Sequence, residues 1–281
     1  MNPSQNQWLA QLQASINQAP LTPRSPLLCD GSPIGSVDAE AFAAFATATA
    51  VADAVRAQNN PAFKEPGWVL VGNPDAALHA LALAMRQAGY AQVAHLWRDE
   101  QLAVRTPTGQ RVASVERGAV RALGITTHGV HLQGRTADGR VWIQQRAQDK
   151  KTDPGRWDTL MGGMVSAADT LNEALARETA EEAGLELAQL SDLRWADYFS
   201  MYTPNALDNG LEYVVERIDW FECLVPDQVV PVNTDGEVQQ FRLVDQTELR
   251  QMLLQNAFTT EASLILAEWL VCTTGTRTLH G

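Results

Sequence analysis

The stretch GGMVSAADTLNEALARETAEEAGL, from Gly162 to Leu185, constrains this chain more than any other. Thr170, followed three residues on by Glu173, has the form of a helix capping box, and Asp169 just ahead of it favours the helix dipole. Gly184 is a C-terminal stop. Between these signals the apolar stripe Leu171, Ala174 and Leu175 continues one turn later as Glu178, Glu181 and Glu182. Three carboxylates at i, i+3 and i+4 share one helical face and repel, with no lysine interleaved. A solvated acidic face would relieve them, and charge runs taken alone mostly do this. Along a core-facing stripe, unpaired burial would be costly. A hard divalent cation held by oxygen donors, Mg2+ or Mn2+, removes both the repulsion and the desolvation cost.

The rest of the composition narrows the setting. The 281 residues allow one large domain or two small ones, and 45% hydrophobic residues suffice for a core. A net charge of −12 argues against a broad nucleic-acid surface but not against a small phosphorylated ligand, because a bound cation can supply positive charge. Cys29, Cys223 and Cys272 are far apart and form no CxxC pair, so no zinc site or disulfide framework is expected, and a reducing, cytoplasmic setting fits. The first twenty residues lack a basic segment followed by an apolar run, and Ala39 to Ala57 is too weakly apolar to span a bilayer, so neither a signal peptide nor a membrane anchor is expected.

The apolar spacing predicts a short helix over 5–17, a Pro-rich linker over 20–26, a hairpin around CDGSPIGSV and a helix over 38–58. A strand over 68–72, a helix over 74–89 and strands over 96–104 and 111–115 complete a small α/β unit. The character changes near Leu123. THGVHLQGRTADGRVWIQQRA reads as a hairpin turning at Ala137-Asp138-Gly139, and KKTDPGRWDTLMGGMV as a loop running into a short strand. After the glutamate helix come strand-like YFSMY, LEYVVERIDWFECLV and GEVQQFRLVD, then helices over 247–256 and 260–271.

The glutamate segment resembles the Nudix hydrolases, whose box reads G-x5-E-x7-R-E-U-x-E-E-x-G-U with U bulky and apolar. Gly163, Arg177, Glu178, Glu181, Glu182 and Gly184 match in type and spacing. Asp169 stands where the box has Glu, and Thr179 where it has a bulkier apolar residue. The resemblance implies that Glu181 and Glu182 are direct metal ligands, and that Glu178 binds the metal directly or through water and can orient or deprotonate the attacking water. Arg177 would hold the glutamates, pairing with Asp169, and the Gly162 carbonyl would complete the coordination. A glycine pair there suits a tight loop that brings bare backbone to metal and diphosphate. For an acidic ligand beyond the box, Glu237 is the first choice and Glu216 its competitor.

From about Arg24 the chain also resembles a Nudix branch related to the module that fungi fuse to thiamine pyrophosphokinase. LWRDEQLAV, VERGAVRALGITTHGVHLQG, DKKTDPGRWDTLMGGMV and DGEVQQFRLV carry that likeness. It implies an α/β (α+β) fold: a Nudix α/β/α sandwich with a mixed sheet over 119–281, a smaller α/β domain over 22–118, and an N-terminal helix and linker over 1–21. It further implies hydrolysis of thiamine diphosphate, or its oxidised analogues, to the monophosphate. Trp157 is a candidate to stack on a substrate ring, and Lys150 and Lys151 to meet phosphate; packing and solvation are the plainer roles for each. His128 and His131 are not assigned to catalysis, and Cys223 is read as core. The expected partner is a small diphosphate, with no nucleic acid and no membrane; a homodimer stays open. ADP-ribose or another nucleoside diphosphate derivative, a catalytically silent module, and an isomerase of isopentenyl diphosphate are the competing readings. The last needs a cysteine at the site, and none lies beside the box.

Overall fold

The structure is a computed structural model that describes residues 3–49, 51–59, 66–205 and 210–273, with side chains from Trp8 to Val271 within those ranges. It opens with helix α1 (Pro3–Ser15). Strands β1 (Arg24–Cys29) and β2 (Ser32–Asp38) then form the expected hairpin, with Asp30 and Gly31 at positive φ in its turn. The linker is shorter than expected, since Arg24 to Pro26 already pair with β2. Helix α2 (Ala39–Ala48), capped by Asp38, also stops early. Val55 to Gln58, expected to be its last turn, form strand β3 (Val55–Gln58), which pairs antiparallel with β4 (Gly67–Leu70). Thr49 closes the helix by donating its hydroxyl and its N–H to the Phe45 carbonyl.

Helix α3 (Pro74–Ala88) follows its signals closely: Asn73 caps it, Pro74 opens it, and Gly89 ends it in the left-handed region at φ 64°. A short helix α4 (Val93–Leu96) replaces the first part of the strand expected from residue 96, and β5 (Gln101–Arg105) and β6 (Arg111–Glu116) form a separate two-stranded ribbon. Phe42, Phe45, Leu78, Leu81 and Met85 build the first core, with Phe42 meeting Trp68 edge-on at 5.0 Å between centroids. Ala119, Val120, Leu123 and Ile125 also belong to this core. A boundary at residue 118 therefore cuts through a segment that packs as one with the N-terminal unit.

The second unit is built on β7 (Thr127–Arg135), β8 (Val141–Arg146), β9 (Trp157–Asp158), β10 (Met161–Met164), helix α5 (Leu171–Ala183), β11 (Ser191–Pro204), β12 (Tyr213–Leu224) and β13 (Val238–Val244). Helices α6 (Gln246–Leu254) and α7 (Thr260–Thr273) close it. The sheet order is β11-β12-β7-β8-β13, with β10 on β7 and β9 on β8. Only β12 and β7 run parallel, which makes the sheet mixed. The β7–β8 hairpin pairs at just Gly134–Trp142 and Arg135–Val141; beyond that the strands part, and β10 takes up β7 while β9 takes up β8. That parting leaves room for a cleft in the sheet. Side chains alternate across the strands, so Val130, Leu132, Phe221 and Cys223 pack under α5. Val141, Ile143, Ile218 and Trp220 pack under α6 and α7. This is the expected sandwich. Ile16, Trp8 and Leu12 pack on that second core, so α1 belongs to the far face of the second unit and not to the first.

Cys29 and Cys223 are free and buried; the side chain of Cys272 lies outside the described residues. No helix among the described residues is long and apolar enough to cross a membrane.

Candidate active site

Helix α5 begins and ends as the sequence dictates. Thr170 accepts from the Glu173 N–H while Glu173 accepts from the Thr170 N–H, a complete capping box, and Gly184 adopts φ 63° beyond the last turn. The three glutamates then fare differently. Glu182 is buried at 3% exposure, Glu178 is half-buried, and Glu181 is exposed at the rim.

Arg177 organises this face. Its Nε and Nη2 donate to Asp169 Oδ2 at 2.9 and 2.8 Å, and its Nη1 donates to Glu178 Oε1 and Glu181 Oε2, both at 3.0 Å. The shorter side chain of Asp169 therefore keeps the pairing with the box arginine. One guanidinium acts as counterion to Asp169, Glu178 and Glu181, which offsets the repulsion between these acids.

The glycine pair lies in a different element from the one expected. Gly162 and Gly163 lie in strand β10, opposite His131 and Val130 of β7, not in a tight loop, and neither has a positive φ. What they supply is space for side chains. A Cβ on Gly163 would lie 2.1 Å from Glu178 Cδ, and one on Gly162 would lie 2.5 Å from His131 Cε1. Bare backbone lets Glu178 lie across the strand and His131 sit beneath it. The Gly162 N–H donates to Glu182 Oε2 at 3.1 Å, and Gln144 Nε2 donates to the same oxygen at 2.8 Å.

Glu178, Glu182, Gly162 and Gly163 line one cleft together with His131, Arg146, Asp158, Glu216 and Glu237. Burial pushes the Glu182 carboxyl up to about 8, against the opposing hydrogen bonds from Gln144 and Gly162. Burial also raises Glu178, in spite of Arg177, and Glu216, in spite of Arg121 and Arg117. His131 is pushed down by burial, against the nearby Asp158; its Nδ1 lies 3.0 Å from Thr159 Oγ1 and 3.5 Å from Asp158 Oδ1. Gln144 Oε1 and Arg146 Nε are buried without a protein partner.

Among the described residues, no three acidic, histidine or cysteine groups converge closely enough to grip a cation as they stand. The donor chemistry nevertheless fits a hard divalent ion. The cleft offers carboxylate oxygens whose burial favours protonation unless a counterion arrives, and Arg177 now holds two of the glutamates.

The remaining candidates divide. Lys150 and Glu237 both line the cleft but are ion-paired with each other. Burial works against the Glu237 carboxylate, yet the Lys150 hydrogen bond and charge outweigh it and lower its pKa. Lys151 lies outside the cleft and donates to the His95 carbonyl at 2.6 Å. Trp157 does not line the cleft either. Its ring, partly buried, packs against the core under α6 and α7, and its backbone bridges to Phe258. Sequence reasoning set His131 aside and overlooked Asp158, Gln144, Arg146 and Glu261, all of which line the cleft or touch Glu182. Their signal was positional: His131 and Gln144 sit on the strands that part around β10. Glu261 opens helix α7, and burial lifts its carboxyl to about 8.

Residues 129–265 match the NUDIX domain, a span that contains every box position above. The uncharacterized protein YJR142W of Saccharomyces cerevisiae is 24% identical over 188 residues, 62% of this chain and 55% of that protein. Nudix hydrolase 20, chloroplastic, of Arabidopsis thaliana is 30% identical over 163 residues, 56% of this chain and 42% of its own length. The chain thus spans about half the length of these curated relatives. Among solved structures, DR0079 from Deinococcus radiodurans aligns over 60% of this chain and 97% of its own, at 21% identity and a TM-score of 0.47. Residues 129–265 therefore carry the likeness to the NUDIX domain, and the chain is similar there to proteins named as Nudix hydrolases.

Proposed function

We propose that this protein is a divalent-metal-dependent hydrolase of a small diphosphate, with thiamine diphosphate or its oxidised analogues cleaved to the monophosphate and phosphate. The observation that carries the diphosphatase reading is Glu182, buried on the glycine strand and fixed by Gln144 and the Gly162 N–H, with Glu178 packed across Gly163 beside it. When bound, a cation, Mg2+ or Mn2+, supplies Lewis-acid polarisation of a diphosphate oxygen and acidifies a water. Glu178, Glu181 and Glu182 would hold it, with Glu237 or Glu216 as the acid beyond the helix. Arg177 Nη1 fixes Glu178 Oε1 and so orients the carboxylate, whose other oxygen accepts the proton of the attacking water. Asp169 sets the angle of Arg177 in turn. A silent binding module is the weaker reading, because every acid of the metal face is present.

The thiamine half of the proposal rests on the likeness outside the box. The match to the yeast protein covers 188 residues, more than the 137 of the NUDIX span (265 − 129 + 1), so the relationship extends beyond the hydrolase domain. The expected result is a higher kcat/KM for oxidised thiamine diphosphate and thiamine diphosphate than for ADP-ribose under one metal condition, read by phosphate or product release. A clear preference for ADP-ribose would leave only the general diphosphatase reading.

Gly163→Ala isolates the packing of Glu178. The new methyl meets the far end of a flexible side chain, so Glu178 moves and the backbone stays. Stability should change by less than about 1 kcal/mol, while turnover falls about 10²-fold, the scale for a catalytic group displaced by an ångström. Full turnover at an unchanged melting temperature would show that Glu178 need not lie across the strand.

A further inference from the structure

The cleft that holds Glu178 and Glu182 is also lined by Arg117 and Arg121. Both come from the turn-rich segment that follows β6. Its apolar members are locked in the N-terminal core, while the two arginines, four residues apart, remain half-buried. The segment is bolted to the second unit, since the Tyr213 N–H donates to the Arg121 carbonyl at 2.9 Å. Neighbouring ties are the Gln92 N–H to Glu212 Oε1 at 3.2 Å and Arg24 Nη1 to the Leu211 carbonyl at 3.1 Å. Arg117 is held by Glu100 at 2.6 Å. The Arg121 guanidinium makes no hydrogen bond or ion pair among the described residues, although its charge acts on Glu216. The same two arginines, with Thr152, Met164 and Glu216, also line a second pocket between the units, whose further walls include Leu96, Val120 and Val214. The two cavities thus share a wall of these five residues, with the carboxylates on one side and the seam between the units on the other.

An acidic cleft repels a diphosphate, and one cation on the attacked side does not neutralise both phosphates. A guanidinium fork matches two phosphate oxygens and keeps its charge when half-buried. We propose that Arg121, assisted by Arg117, binds the phosphate that is not attacked, and that the seam between the units receives the organic half of the substrate. The N-terminal unit is then a wall of the substrate site and not an independent module. Walls that mix Leu96, Val120 and Val214 with Arg98, Thr127 and the acid Glu216 suit a polar, nitrogen-bearing ring carried on a phosphate ester. The inference rests on the diphosphatase reading above.

The experiment compares the full chain with Arg121→Ala and Arg121→Lys. Binding of inorganic diphosphate with Mg2+ is measured by calorimetry, and kcat and KM on the best organic diphosphate are measured in parallel. Arg121→Ala should raise Kd and KM about 10-fold or more with kcat within about threefold, and Arg121→Lys should recover part of the loss. Melting temperatures check that the fold is intact, which is expected because the Arg121 side chain holds no structural bond. Leu96→Trp, which fills the seam, should weaken the organic substrate while sparing inorganic diphosphate. If the wild type binds and cleaves diphosphates and Arg121→Ala does both equally well, Arg121 only neutralises Glu216 and the inference is overturned alone. If the wild type neither binds nor cleaves any diphosphate, the inference falls together with the reading it rests on.

Discussion

Glu182→Gln should lose roughly 10²-fold or more in kcat while folding at least as well as the wild type. The change is isosteric. The amide oxygen can still accept from Gln144 Nε2 and from the Gly162 N–H, so the local bonds that position the side chain survive. What disappears is the negative charge of a carboxylate buried in the cleft, where burial lifts the acid to about 8. A buried charge that is costly in the free protein and needed in the working one is a sign of function rather than stability. The two readouts therefore move in opposite directions: turnover collapses, and the metal-free melting temperature at pH 8 holds or rises. Removal of a merely structural glutamate would lower both. Near wild-type turnover in this variant would remove Glu182 from the mechanism and the metal from Glu182.

How much of this was legible in the sequence depends on how local the cause is. Helix α5 was readable to the residue, because a capping box and a left-handed glycine act within one turn of where they are written. Arg177 and Asp169 were readable as a pair because a helix brings the arginine's reach back to its own N-terminus. The glycine pair was legible as a necessity but not as a reason. Only the register of β10 on β7 reveals that Glu178 and His131 fill the vacant Cβ positions. The overlong α2 has a similar origin, since alanines from 39 to 57 favour a helix and the pairing of β3 with β4 overrides that preference. Trp157 shows the limit most sharply. Its place just before the catalytic glycines suggested a substrate platform, but β9 turns the ring to the face under α6 and α7. Arg117 and Arg121 carried no signal within the box because they reach the cleft from a different core altogether.

The metal-free protein should lose stability as pH rises from about 6.5 to about 8, and Mg2+ should reverse the trend. Glu182 is the main source. Its folded value of about 8 lies above the ordinary 4.5, so between those values the folded state holds a proton that the unfolded chain has released. Stability then falls with rising pH through that window and levels off above about 8. Glu178, Glu216 and Glu261 are also raised, with burial the largest cause of each, and act with the same sign. Two groups oppose it lower down. His128 and His131 are pushed below 6.5, chiefly by burial, so the unfolded chain binds their protons first and stability there rises with pH. Their opposition fades over about one pH unit above 6.5, as the unfolded chain releases the last of these protons, and the carboxylates govern alone beyond it. At about 1.4 kcal/mol per pH unit, Glu182 by itself accounts for roughly 2 kcal/mol across the window. For a chain of this size that is about 4 to 8 °C in melting temperature. A divalent cation binds the ionised carboxylates and displaces the proton, so its apparent affinity rises with pH. The thermal shift produced by Mg2+ should accordingly be larger at pH 8 than at pH 6.5, and chelation should abolish it at both. Glu182→Gln should flatten the metal-free slope and shrink the Mg2+ shift together. A metal-free melting temperature that holds level or climbs from pH 6.5 to 8, and does so identically in the variant, would mean that Glu182 is ionised in the folded protein without a counterion.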